Sequence, residues 1–204
     1  ALSELPVLDR SNMERVEWAY TQGFISADGM DDYGFFWTYG AKRDLEKFMH
    51  LRHVKEDESR NRCYPSFDKL SKAFVPEFWD MESTLSWLAG YLDGDGTVTK
   101  EGCIQAASVN RKFLSDLQRL LVTLGVQSKV VLMRRAGDAM FPDGRGGLTS
   151  YSQQDIYRIM FGAVDYMKLV GLGLPVRRLR TDFTPNRRAT KYTVVTDVSY
   201  SHTA

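Results

Sequence analysis

Apolar residues along this chain change their period from helical to strand-like twice, each time at an Asp-Gly step. In residues 83–96, Leu85, Leu88, Ala89 and Leu92 fall at i, i+3, i+4 and i+7, the stripe of a helix with a buried face, and the run stops at Asp95-Gly96. In residues 12–29, Val16, Tyr20, Gly23 and Ala27 share a face in the same way, and the run stops at Asp28-Gly29. Ser11 or Asn12 is placed to cap the first helix and Ser83 the second. After Gly96, TVTKEGCIQAASV predicts two strands around a Lys-Glu-Gly turn, and RKFLSDLQRLLVTLGV an amphipathic helix ending at Gly125. QSKVVLMRR and DIYRIMFGAV predict strands on either side of a polar, glycine-rich loop, AGDAMFPDGRGGLTSYSQQ, and DYMKLVGLG a closing helix. The order is αββαββα. After Gly29 the pattern is shorter: YGFFWTYG as a strand, AKRDLEKFMHLRHV as a helix, KEDESRNRCYPSF as loop or strand, and DKLSKAF as a short helix.

The two helices are copies of one segment. Setting Gly23 on Gly90 places Phe24 on Tyr91, Ile25 on Leu92, Asp28 on Asp95 and Gly29 on Gly96. Each carries a small-residue stripe, Gly23 with Ala27 and Gly90 with Gly94. Glycine inside a helix costs about 1 kcal/mol relative to alanine, so its repetition at one place implies a compensating close approach of two backbones. These four residues are therefore expected at a helix–helix interface that brings Asp28 and Asp95 out side by side. The expected class is α+β, with a shortened first half over 1–82, a second half over 83–174, and a basic extension over 175–204 that ends in a strand, KYTVVTDVSY. Trp37, Tyr39, Phe113 and Leu117 read as core.

Composition narrows the setting more than the function. The 204 residues, 43% hydrophobic and 26% charged, suit one large or two closely joined globular units. No apolar run nears the roughly 18 residues of a membrane span, and ALSELPVLDR lacks the features of a signal peptide, so an intracellular protein is expected. Two cysteines, Cys63 and Cys103, and three histidines argue against a disulfide framework or a zinc site. The net charge of +1 conceals an imbalance. From Val126 onward 12 Lys/Arg stand against 6 acids, a net +6, while residues 1–125 carry −5. The densest basic cluster, Arg177, Arg178, Arg180, Arg187, Arg188 and Lys191, suits a polyanion or a solvated loop.

LAGYLDGDG (88–96) resembles the signature of LAGLIDADG homing endonucleases, and TQGFISADG (21–29) resembles a diverged first copy with Thr21, Gln22 and Ser26 as its departures. FVPEFWDMESTLSWLAGYLDGDGTV is similar to the second motif of intein-borne members, and KYTVVTDVSYSHTA to the start of an intein splicing block. The resemblance implies two pseudo-symmetric αββαββα halves joined at the motif helices, with antiparallel sheets forming a saddle over duplex DNA. It implies a monomer that cuts both strands with a short stagger, using Mg²⁺ or Mn²⁺ held by the last Asp of each motif, here Asp28 and Asp95, with the neighbouring positions Ala27 and Gly94. Asp93 matches an inner Asp that serves structure, and Ser26 replaces its counterpart.

Chemistry supports that reading. Hydrolysing a phosphodiester needs an in-line water, neutralised phosphate charge and a stabilised leaving oxygen, which divalent metals on carboxylates supply. Mg²⁺ prefers oxygen ligands and keeps several waters, so one or two Asp suffice when DNA completes the shell. A calcium-loop reading from Asp93 fails, because Val98 and Ile104 stand where Gly and Glu are needed. Gln105 is a candidate water-positioning residue, a base reader, or an exposed polar residue; Lys42 and Lys129 are candidates for balancing phosphate charge. The strand position where the family often has a lysine is expected at Phe161, near Arg158. Gln105, Ser108, Arg134, Arg135, Gln153 and Arg158 are candidate base readers on alternate strand positions. Arg177, Arg178, Arg180, Arg187 and Arg188 are candidate phosphate contacts. The rivals are a maturase-like or regulator-like DNA- or RNA-binding protein, or an intein insert, without cleavage. Both motif aspartates favour cleavage. With Ala1 first and SHTA last, the chain is not expected to splice alone.

Overall fold

The computed structural model describes residues 5–29, 34–68, 71–142 and 147–185. At its centre, α1 (Ala19–Asp28) packs along α2 (Met81–Asp95). Residues Ala19 to Ala27 of α1 are all buried, so this helix is enclosed on every side. The glycines set how close the pair comes. A Cβ on Gly23 would stand 1.9 Å from Trp87 O, and one on Gly90 2.0 Å from Tyr20 O, so any side chain would force the backbones apart. One turn on, a Cβ on Gly94 would fall 2.4 Å from Ala27 Cβ. All four expected interface residues lie at the crossing.

The second half follows the expected order. β4 (Thr97–Val98), β5 (Ile104–Ser108), β9 (Ile156–Phe161) and β6 (Ser128–Arg134) form an antiparallel sheet in the order β4-β5-β9-β6, covered by α3 (Arg111–Thr123) and followed by α4 (Ala163–Gly171). Asn110 caps α3, its Oδ1 accepting from the Phe113 N–H at 3.0 Å. Ile104, Ala106, Ile159 and Phe161 point to the core with Phe113, Leu114 and Leu117 of α3, which leaves Thr97, Gln105, Met160 and Lys129 as a row across the outer face. The glycine-rich segment expected as loop is instead a hairpin, β7 (Gly137–Pro142) paired with β8 (Leu148–Gln153). Its ladder runs from Gly137 opposite Gln153 to Pro142 opposite Leu148, and its polar, glycine-rich composition hid it.

The first half departs further. β1 (Phe36–Tyr39), β3 (Arg60–Pro65) and β2 (Leu51–Lys55) form a sheet in the order β1-β3-β2. The helix expected over AKRDLEKFMHLRHV is a 3₁₀ helix over Gly40–Phe48 that gives way to β2. Pairing with β3 overrides local helix propensity there. No helix forms from DKLSKAF among the described residues; 71–80 runs as turns and coil, with Phe74 packed against Trp79, while Phe67 stacks on Trp18 at 4.3 Å. These aromatics close the core where the second half uses helices. Neither motif helix takes its expected cap. α1 starts at Ala19 without a side-chain cap, and α2 is capped by Asp80, whose Oδ1 accepts from the Ser83 N–H at 2.7 Å. No helix of the described residues is long and apolar enough to cross a membrane, and both cysteines are free.

Candidate active site

Because Ala27 meets Gly94 at the crossing, the next residue of each helix, Asp28 and Asp95, emerges at one end of the junction. They meet different surroundings. Both oxygens of Asp28 accept from Lys42 Nζ at 2.8 Å, and each side chain of the pair is only 15% exposed. The Lys42 ammonium also lies 5.0 Å from the centre of the Tyr39 ring and 5.8 Å from that of Phe24. Asp95 has no ion pair of this kind among the described residues. Burial pushes its carboxyl above the usual range, the nearby Asp28 charge pushes it further, and Lys42, Lys72 and Arg178 pull it back.

A cleft opens beside each carboxylate. One of about 530 Å³ holds Asp95 with Tyr91, Lys72, Ser108 and Asn110 among its walls. Another of about 460 Å³ holds Asp28 with Trp37, Tyr39, Arg60 and Lys72. This second cleft leads onto the outer face of the β1-β3-β2 sheet. There Trp37 pairs with Arg62 and Tyr39 with Arg60 across the strands, and the Arg60 guanidinium lies 3.6 Å from the centre of the Trp37 ring. Arg62 adds contacts to Trp37 and Phe35 at 4.9 and 5.3 Å, and Arg52 sits over Tyr64 at 5.8 Å. The core assignment of Trp37 and Tyr39 is therefore corrected: Phe36 and Thr38 point inward, while Trp37 is half-buried and Tyr39 is 52% exposed. Aromatics on both faces of β1 give the sequence no phase to read. Phe113 and Leu117 are core as expected.

Lys42 reaches a motif carboxylate, whereas Gln105 and Lys129 stand on the outer row of the second sheet. Phe161 is 5% exposed and faces the core, so the outward neighbour of Gln105 and Lys129 is Met160. Ser108 points with Ile104 and Ala106 rather than with Gln105, and its Oγ accepts from the Asn110 N–H at 3.1 Å; it shapes a turn and not the outer face. Arg134, Arg135 and Gln153 lie at or beyond the ends of the second-half strands, Arg134 and Arg135 exposed and Gln153 half-buried. Arg158, opposite Ala107 and Val131 on the outer face, reaches Met133 Sδ at 2.6 Å.

The described part of the basic extension lies against the end of α2 and the turn that follows it. Arg178 is fastened to α2: its Nε donates to Asp93 O at 2.5 Å and its Nη2 to Gly96 O at 2.7 Å. Arg180 donates to Lys100 O at 2.9 Å, and the Arg177 guanidinium lies 4.4 Å from the centre of the Phe48 ring. Main-chain carbonyls at the end of α2 and in the following turn hold Nε and Nη2 of Arg178 and Nη2 of Arg180, while all three arginines remain exposed. Arg187 and Arg188, with Lys191 and the KYTVVTDVSY strand, lie outside the described residues. Asp93 is fully buried; it accepts from Tyr20 Oη at 2.8 Å and from the N–H groups of Arg177 and Arg178 at 2.7 and 2.8 Å, the structural part expected of it. Burial and this carboxylate push the Tyr20 hydroxyl well above its ordinary range.

Among the described residues no three His, Cys, Asp or Glu side chains gather as a metal cage. What gathers is two carboxylates beside open clefts. That set suits a hard cation whose remaining ligands come from phosphate and water. The Lys42 ammonium, 2.8 Å from both Asp28 oxygens, marks where positive charge is accepted.

Residues 82–159 match the family model described as the LAGLIDADG-like domain. Over 206 aligned residues the chain is 32% identical to the ribonucleoside-diphosphate reductase large subunit of Invertebrate iridescent virus 6, covering 96% of this chain and 22% of that protein. Over 100 residues it is 29% identical to the ribonucleoside-diphosphate reductase NrdEB subunit alpha of Bacillus subtilis (strain 168), covering 45% of this chain and 9% of that one. The chain thus spans less than a quarter of the length of these curated relatives. A solved structure of mesophilic variants of the homing endonuclease I-DmoI shares the fold with a TM-score of 0.50 at 16% identity, over 79% of this chain and 91% of that one.

Proposed function

Since residues 82–159 belong to the LAGLIDADG-like domain family and pack against a diverged copy of their own motif helix, we propose that this chain is a site-specific homing endonuclease. It makes a staggered double-strand break in a long asymmetric duplex by divalent-metal-dependent hydrolysis. The observation that carries the reading is the helix crossing, which delivers two carboxylates from residues 67 positions apart to one end of one junction. One polypeptide supplies both motif helices, so the active form is a monomer, acting inside the cell where the DNA lies.

Asp28 and Asp95 would hold Mg²⁺ or Mn²⁺, with the Ala27 and Gly94 main chain beside them, and the bound ion would supply charge neutralisation at the phosphate and an activated water. Phosphorus gains a bond to the water oxygen, the bond to the leaving oxygen breaks, and that oxygen takes up a proton. Lys42 balances charge at the Asp28 half-site, and Gln105 and Lys129 order solvent or read bases from the outer row. Arg134, Arg135, Gln153 and Arg158 contact DNA from the second half. Trp37, Tyr39, Arg60 and Arg62 do so from the first. The match with less than a quarter of a viral reductase subunit supports a nuclease module carried within a longer polypeptide, as in an intein.

A supercoiled plasmid bearing a site selected from a randomised duplex library tests this. Linear product is expected with Mg²⁺ and none with EDTA, and Asp28→Asn or Asp95→Asn should abolish double-strand cleavage while leaving binding largely intact. Binding without cleavage in the parent would support the maturase-like or regulator-like alternative, and full activity in either variant would refute the assignment.

A further inference from the structure

All three departures of the first motif bond loops of their own half. Thr21 Oγ1 accepts from the His50 N–H at 2.8 Å. Gln22 Nε2 donates to Ser71 O at 3.4 Å, and Ser26 Oγ lies 3.3 Å from Phe74 O as well as 3.0 Å from Gln22 O. Gln22 and Ser26 thereby grip the loop between the halves at two points, and Lys72 stands between the grips. Asp93, the counterpart of Ser26, grips the segment after α4 through the N–H groups of Arg177 and Arg178. Each inner motif residue fastens the segment that trails its own half.

Each trailing segment also returns a cation to the glycine after the motif aspartate. Arg178 reaches Gly96 O at 2.7 Å. Lys72 crosses Gly29, the equivalent glycine: a Cβ there would stand 3.0 Å from Lys72 Cδ and 3.3 Å from its Nζ. The two cations differ in what they have left to give. Both are exposed, but Arg178 is bonded to main-chain carbonyls and lines neither cleft, whereas Lys72 makes no ion pair among the described residues and lines both the Asp28 cleft and the Asp95 cleft.

We propose that Lys72 is a catalytic residue shared by the two half-sites, its ammonium engaging phosphate oxygens at the cleavage centre while either strand is cut. The inference rests on the endonuclease reading. Lys72 keeps its proton throughout and contributes charge, so the balance of the hydrolysis is unchanged. A cation fixed in the 3₁₀ helix, as Lys42 is, serves the half-site whose carboxylate it touches; a loop cation between two clefts serves both.

The test uses the full chain and a library-selected duplex labelled separately on each strand. Lys72→Met is expected to slow cutting of both strands by a similar factor, on the order of ten- to a hundred-fold, at an unchanged melting temperature, and Lys72→Arg to restore most of the rate. With EDTA present, the slope of log affinity against log salt should fall by about one for Lys72→Met and hold for Lys72→Arg. Parent rates in Lys72→Met, slowing of one strand alone, or an unchanged salt slope would overturn the proposal. Asp95→Asn on the same duplex separates the two failures. If it cuts like the parent, or if no duplex is selected, the endonuclease reading falls; if it is dead while Lys72→Met cuts normally, only the role of Lys72 falls.

Discussion

Asp28 shares its charge with Lys42 in an ion pair that is mostly out of solvent, while Asp95 is crowded by burial and by the Asp28 charge. The same substitution should therefore have opposite effects on the metal-free protein. Asp28→Asn leaves the Lys42 ammonium without its carboxylate and should cost about 1–3 kcal/mol. Asp95→Asn removes a group whose carboxyl is raised by folding. A raised carboxyl favours the folded state while protonated and opposes it once ionised, so its burden is present at neutral pH and absent below the ordinary carboxylate range. Asp95→Asn should melt above the parent at pH 7 in EDTA, with the gain shrinking as pH falls through the raised range. Thermal melts at several pH values read this directly, and a lower melting temperature at pH 7 would contradict it. Mg²⁺ should narrow the gap by stabilising the parent alone.

The two motif helices form an element pair whose geometry is set by two missing side chains. Alanine for an unconstrained helical glycine usually stabilises by roughly 0.5–1 kcal/mol, and Gly171→Ala in α4, with open space around it, should follow that rule. Gly90→Ala should not. Its Cβ would meet the Tyr20 carbonyl oxygen at 2.0 Å, and backbone cannot rotate away as a side chain can. A loss of about 1–3 kcal/mol in urea unfolding is expected, with double-strand cleavage falling more steeply because the carboxylates move apart. A neutral or stabilising Gly90→Ala would mean that the crossing is looser than described. This junction was legible in the sequence because glycine weakens a helix, and its recurrence at matched positions of two helices signals backbones that touch. α3, β5 and β9 were readable for a related reason: their apolar periods match the faces they bury. The β7-β8 hairpin and β2 were not. The polar, glycine-rich composition of one reads as loop, and Lys, Arg, Glu and Leu before the other favour helix until β3 supplies a partner. Loop 71–74 was invisible for a third reason, since side chains on α1, far back in the chain, position it.

Across the whole molecule, pseudo-symmetry survives at the helix pair and in the trailing cations, and fades elsewhere. The second half keeps αββαββα with the β7-β8 hairpin inserted between its last two sheet strands, whereas the first replaces helices with a 3₁₀ turn and an aromatic loop. Charge counted along the sequence pointed to the C-terminal portion as the DNA-holding part. Folding redistributes that reading, because Arg178 and Arg180 are bonded to carbonyls, while Arg60 and Arg62, in the acidic first half, lie over Trp37 on an outer sheet face beside Asp28. A linear charge tally cannot see this, since it weighs a guanidinium facing a carbonyl and one stacked on a ring beside a cleft alike. The contrast predicts a difference in salt dependence. Each phosphate neutralised adds roughly 0.9 to the slope of log affinity against log salt on duplex DNA. The double variant Arg60→Ala/Arg62→Ala should lower the slope by about two and weaken binding most at low salt. Arg180→Ala should change the slope by less, since Nη2 of Arg180 is held at the Thr99 and Lys100 carbonyls and the residue lines neither cleft. Filter binding between 50 and 200 mM salt distinguishes the two, and a slope that falls for Arg180→Ala but not for the double variant would return the DNA-holding surface to the C-terminal extension.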